Sequence, residues 1–115
     1  MLATTCLIAA LWAETKNQDY GAMSGVKSVI EHRMRLTHSS ACQVIKAKGQ
    51  FPWAKRGVNL PRPVSKLDRA ALSRIKRVIL RKSLHHKYRY FNNIWLGKRF
   101  PSKNRAVIIG SLMFY

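Results

Sequence analysis

Apolar and polar positions alternate along this chain with mostly helical spacing. Residues 3–17, rich in Ala and Leu, read as a first helix, and Asn17 to Gly21 supplies a turn. A second helix is predicted over about 22–35, with Met23, Val26, Ile30 and Met34 on one face. On its other side Lys27 and Glu31, four residues apart, are placed to pair in solvent. Ser39 or Ser40 is suited to cap a short helix over 41–47. The stretch Gly49 to Pro63 is broken by Gly49, Pro52, Gly57, Pro61 and Pro63, and reads as irregular. Asp68 is expected to cap a long amphipathic helix over about 69–83, with Leu72, Ile75, Val78 and Ile79 as its apolar face.

The tail changes period. Tyr88-Arg89-Tyr90-Phe91 has strand composition and ends at Asn92-Asn93. Ala106-Val107-Ile108-Ile109 is a β-branched run. The two segments are expected to pair as an antiparallel hairpin around the basic turn 98–105. The predicted fold class is α+β, mainly α: one domain over 1–115, with the small sheet made by its last quarter.

Charge adds a partner to this picture. The chain carries 22 Lys+Arg against 4 Asp+Glu, a formal net charge of +18. A hydrophobic content of 47% argues for a packed globule and against a disordered basic tail. Such a field attracts polyanions: nucleic acid, an anionic cell envelope or wall, or acidic lipid. Residues 1–50 hold six Lys/Arg and three acids, and residues 51–115 hold sixteen Lys/Arg and Asp68 alone. Acid–base chemistry is therefore confined almost entirely to the first half.

No segment has the length needed to span a bilayer. Residues 2–13 are apolar, but no basic region precedes them, and they are read as a core helix rather than a signal peptide. Cys6 and Cys42 lack C-x-x-C spacing, and His32, His38, His85 and His86 form no ligand pattern with them. No metal or other cofactor is expected. The two cysteines are read as free buried thiols, with a bridge as the alternative.

Glu14 is the candidate for chemistry. It follows Leu11-Trp12-Ala13 and would share a helix face with Leu7, Ala10 and Leu11. Poor hydration disfavours a carboxylate and raises its pKa, which is how a general acid is held ready near neutral pH. The plainer alternative is a surface glutamate.

The order of these segments resembles the cell-wall hydrolase family typified by the spore-cortex lytic enzymes. Leu11-Trp12-Ala13-Glu14 matches the family's segment bearing its catalytic glutamate. Val29 to Arg33 matches its second-helix segment, and Cys42-Gln43-Val44-Ile45 with Gly49-Gln50-Phe51 matches its short helix and Gln-Phe loop. Tyr90-Phe91-Asn92 matches its aromatic strand, and Ile109-Gly110 through Tyr115 its closing strand. Three positions depart: Gln18 stands for a second carboxylate, His32 for an asparagine, and Leu112 for the closing strand's histidine.

The resemblance implies a small lysozyme-like domain acting on peptidoglycan glycan strands at the MurNAc-β-1,4-GlcNAc bond, with Glu14 as catalytic acid. Tyr90 and Asn92 are the substrate contacts the resemblance implies; Gln50 by its amide donor and acceptor, Phe51 by its aromatic face and Gln18, one turn beyond Glu14, are the further candidate contacts. Phe51 is as readily a core residue, Trp53 either a sugar face or a lid under its loop, and Trp12 and Trp95 are read as packing. A hydrolase ordinarily needs two carboxylates. Asp19 and Glu31 are both poorly placed to be the second, so a lytic transglycosylase suits this chain better. The small basic chain without an evident signal suggests a bacteriophage origin, as an endolysin or a virion-associated lysin acting in the virion or in the host periplasm and wall, beside other virion proteins. Two alternatives stand: a basic protein binding nucleic acid through charge, and a catalytically inactive phage structural or injection component.

Overall fold

A computed structural model describes residues 3–47, 51–81, 91–93, 107–109 and 112–114. Four α-helices carry the fold: α1 (Ala3–Thr15), α2 (Tyr20–Thr37), α3 (Ala41–Lys46) and α4 (Lys66–Leu80), with a 3-10 turn over Pro52–Arg56. Among the described residues none of these helices is long and apolar enough to cross a membrane.

Helices α2, α3 and α4 each begin where a polar side chain takes up a free backbone N–H group. Asp19 Oδ1 accepts from the Ala22 amide at 3.1 Å, which starts α2 at Tyr20, two residues earlier than the apolar pattern indicates. Ser40 and Gln43 form a reciprocal capping box on α3. The cap of α4 is Ser65, whose hydroxyl accepts from the Asp68 amide at 3.0 Å. Asp68 is thus not the cap but stands within the first turn, accepting at Oδ2 from the Val64 amide at 3.1 Å. The helix accordingly starts three residues before the sequence reading and its last turn closes at Arg81; positions 82 and 83 lie outside the described residues.

Helix α2 is the centre of the domain and packs on α1, α3 and α4. Met23, Val26, Val29 and Ile30 are fully buried, joined by Leu11 from α1, Ile45 from α3 and Ile75 from α4. Burial on more than one face explains why Lys27 is not in solvent. It is 7% exposed, and its ammonium donates to the Arg81 carbonyl at 2.6 Å while standing 3.3 Å from Glu31. The Lys27–Glu31 pair forms, but inside the α2–α4 interface, where the cation also satisfies the carbonyl end of α4.

Cys6 and Cys42 form a disulfide between α1 and α3, with Cα atoms 5.3 Å apart. The reading as free thiols is corrected: the two helices pack side by side and bring positions 36 residues apart into bridging distance.

Three short strands are described: β1 (Phe91–Asn93), β2 (Val107–Ile109) and β3 (Leu112–Phe114), in the order β1-β3-β2, all antiparallel. The expected hairpin between the 88–93 and 106–109 segments is not what forms. Phe91 and Val107 both face Phe114 in register, so β3 lies between the other two. Phe114 is fully buried against Gly25 of α2, where a Cβ would stand 2.8 Å from Phe114 Cε1. The missing side chain at position 25 is what admits that ring.

A half-buried glutamate held by an indole as candidate active site

The last turn of α1 and the turn that follows it line a pocket of ≈ 300 Å³ with Trp12, Ala13, Glu14, Lys16, Asn17 and Gln18. Glu14 is half-buried, and its Oε1 accepts a hydrogen bond from Trp53 Nε1 at 3.0 Å. Burial pushes the Glu14 carboxyl above the ordinary glutamate pKa, and the indole N–H opposes this in part. In the neutral acid, an Oε1 that accepts from the indole favours the proton on Oε2.

Trp53 is carried to this position by a relay of aromatic packing. Phe114, buried beside Gly25, lies 5.9 Å from Phe91. Phe91 lies 5.8 Å from Phe51. Phe51 meets Trp53 edge-on at 6.1 Å and 76°. Pro52 opens the 3-10 turn between the two rings, and its restricted φ fixes their relation. The sheet and the Phe51 loop thereby reach the carboxyl of α1 through contacts of the kind that hold a core together.

The other acids are occupied. Asp19 caps α2, Glu31 pairs with Lys27, and Asp68 is held by the Val64 amide and by Lys16 at 3.3 Å. The Val64 amide, more than Lys16, keeps the Asp68 carboxyl below its ordinary pKa. Of the four acids in the chain, Glu14 alone combines partial burial, a neutral hydrogen-bond donor and a place on the pocket wall. Beside it, the Lys16 ammonium lies 5.0 Å over the Trp12 ring. Lys16 thus bridges the pocket rim to Asp68, with which it pairs at 3.3 Å. A carboxyl held toward its neutral form by burial is suited to give up a proton as a general acid. Among the described residues no cluster of His, Cys, Asp or Glu could hold a metal ion.

Of the six residues predicted for the site, Glu14 and Gln18 share this pocket. Phe51 does not present a face to a ligand. It is 2% exposed, because its ring is enclosed between Trp53 and Phe91. Asn92 is in β1, opposite Met113. Gln50 and Tyr90 lie outside the described residues, as does Trp95. Trp12, read as packing, is half-buried and borders the pocket under Lys16. The sequence reading missed Trp53 as the partner of Glu14 and Lys16 as part of the rim. An indole N–H in an apolar loop requires an acceptor, which is a usable signal. A partner 39 residues away cannot be found by spacing. In comparisons of the chain with protein families, curated proteins and solved structures, no family model, no curated protein and no solved structure matches.

Proposed function

We propose that this protein cleaves the glycan strand of peptidoglycan with Glu14 as its one acid–base group, acting as a lytic transglycosylase. The observation that carries the reading is the environment of Glu14: half-buried, hydrogen-bonded by Trp53 and bordering the pocket that also holds Gln18. The occupation of Asp19, Glu31 and Asp68 in caps and ion pairs favours a mechanism that needs a single carboxyl.

Glu14 gives its proton to the glycosidic oxygen as the bond from that oxygen to the muramyl C1 breaks. The resulting carboxylate takes the proton of the muramyl C6 hydroxyl while O6 bonds to C1. Glu14 is then protonated again, no water is consumed, and the product ends in a 1,6-anhydromuramyl ring. The nucleophile belongs to the substrate, so attack is intramolecular and gains from proximity. In this reading Gln18, which borders the same pocket, binds the sugar through its amide.

A net charge of +18 fits an enzyme drawn to an anionic envelope, with attraction that falls as salt rises. The setting proposed is that of a phage lysin, either released to the wall or carried in the virion beside other virion proteins. Incubation of purified protein with peptidoglycan sacculi tests the reading. Soluble muropeptides are expected from the wild type and not from Glu14→Gln. Failure of the folded wild type to release them from several wall types would leave this proposal without support.

A further inference from the structure

Tyr20, the first residue of α2, meets two arginines from the end of α4. Arg77 Nη1 donates to the Tyr20 hydroxyl oxygen at 3.2 Å, and the Arg81 guanidinium lies 5.2 Å over the Tyr20 ring. Both arginines are exposed and Tyr20 is half-buried. Among the described residues neither arginine has a carboxylate partner. The four acids of the chain are engaged elsewhere: Glu14 with Trp53, Asp19 as the cap of α2, Glu31 with Lys27 and Asp68 with Lys16. Like charges four residues apart on a helix repel. Here one tyrosine gathers two of them, and no described group neutralises them.

We infer that Tyr20, Arg77 and Arg81 form a binding site for a phosphomonoester dianion. The Tyr20 oxygen accepts from Arg77 and keeps its own hydrogen, for which no acceptor stands among the described residues. That O–H and the remaining N–H groups of two guanidinium forks are thus gathered around one phenol group. Guanidinium forks match phosphate oxygens two at a time. Charge then selects among anions. A phosphomonoester carries close to two negative charges near neutral pH and three acceptor oxygens, which suit two arginines and one hydroxyl. A carboxylate, or a phosphodiester such as a nucleic-acid backbone or a glycerol headgroup, carries one charge and would leave one arginine uncompensated. The inference does not rest on glycan cleavage, since Glu14 lies on α1 and takes no part in it.

The test is titration of the ¹⁵N-labelled full chain with methyl phosphate, dimethyl phosphate and acetate near neutral pH in about 0.15 M chloride, followed by NMR. Methyl phosphate is expected to give saturable shifts at Tyr20, Arg77 and Arg81, and to bind about tenfold tighter than dimethyl phosphate or acetate. Tyr20→Phe keeps the ring under Arg81 and should weaken binding about fivefold. Arg77→Lys keeps the charge without the fork and should weaken it by a similar factor. Arg69→Gln removes a full charge about 12 Å away along α4 and should change binding by less than about twofold. Unchanged amide spectra away from each substitution verify folding. Competition shows what bears the group. An end-phosphorylated DNA strand that displaces methyl phosphate better than its unphosphorylated form assigns it to a strand end. Phosphatidic acid vesicles that outdo phosphatidylglycerol assign it to a headgroup, and if neither outdoes its counterpart the bearer is a small phosphomonoester. The inference is overturned if dimethyl phosphate binds as tightly as methyl phosphate, or if the shifts spread over the basic surface without saturating. It is equally overturned if Arg69→Gln weakens binding as much as Tyr20→Phe does, which would make the attraction charge alone.

Discussion

Trp53 Nε1 donates to Glu14 Oε1 at 3.0 Å across 39 residues of sequence. This contact joins the end of α1 to the loop after α3, and the state of the candidate acid depends on it. Burial raises the Glu14 pKa and the indole N–H restrains the rise. Removing the donor while keeping an aromatic ring should therefore move the pKa further up. Trp53→Phe is expected to shift the Glu14 carboxyl titration, followed by ¹³C NMR, to higher pH than in the wild type. Its thermal stability should fall by about 1 kcal/mol for the lost hydrogen bond.

Glu14→Gln separates chemistry from folding. The amide oxygen can still accept from Trp53, so the fold should persist. A carboxyl whose folded pKa is raised contributes stability that is full below its unfolded pKa of about 4.3 and is lost as pH rises through the folded value. The variant, which has nothing to ionise, should melt above the wild type at pH 8. The two should converge below pH 4. Melting curves over that range check the sign, and an opposite trend would place Glu14 in a charge-stabilising environment.

Asp68 should behave the other way. Its folded pKa is lowered by the Val64 amide first and by Lys16 second. Its stabilisation is present above the unfolded aspartate pKa of about 3.9 and is lost as pH falls through the folded value. Asp68→Asn should lower the melting temperature at pH 7 and lose that deficit in strong acid. The same melts with added salt should narrow the gap, because Lys16 is partly exposed.

The disulfide should carry a large share of the stability of so small a domain. Closing a loop between residues 36 apart contributes about 4 kcal/mol by loop-closure entropy. Reduction, or Cys6→Ser/Cys42→Ser, is expected to lower the urea midpoint correspondingly. Reduced protein should regain the oxidised midpoint once the bridge is re-formed.

Gly25→Ala tests the seat of the sheet. The new Cβ would overlap the Phe114 ring, and the ring is the buried end of the aromatic relay that reaches Trp53. A loss of about 1–3 kcal/mol is expected from overpacking. Phe114→Leu in the same chain should recover part of it, giving less than additive destabilisation.

The helices were legible in the sequence because each has a local signature. Met23, Val26 and Ile30 mark the buried face of α2, and Leu72, Ile75, Val78 and Ile79 mark that of α4. Their starts were less legible. Asp68 has the residue type of a cap, but Ser65 three residues earlier takes that place and leaves Asp68 to bind the Val64 amide. Glu14 could be singled out because a lone acid after Leu11 and Trp12 is locally conspicuous. Its partner Trp53, the disulfide and the place of β3 between β1 and β2 depend on contacts made only when distant segments meet. Phe51 shows the same limit. An aromatic residue in a loop reads equally as a ligand face or as core, and its neighbours Trp53 and Phe91 decide it.

The most direct measurement of the central claim is the mass of the muropeptide ends released from sacculi. Transglycosylation by Glu14 predicts 1,6-anhydromuramyl ends, each lighter by one water than the hydrolytic product, and none from Glu14→Gln. Reducing ends carrying added water, or undiminished release by the Gln variant, would contradict the account.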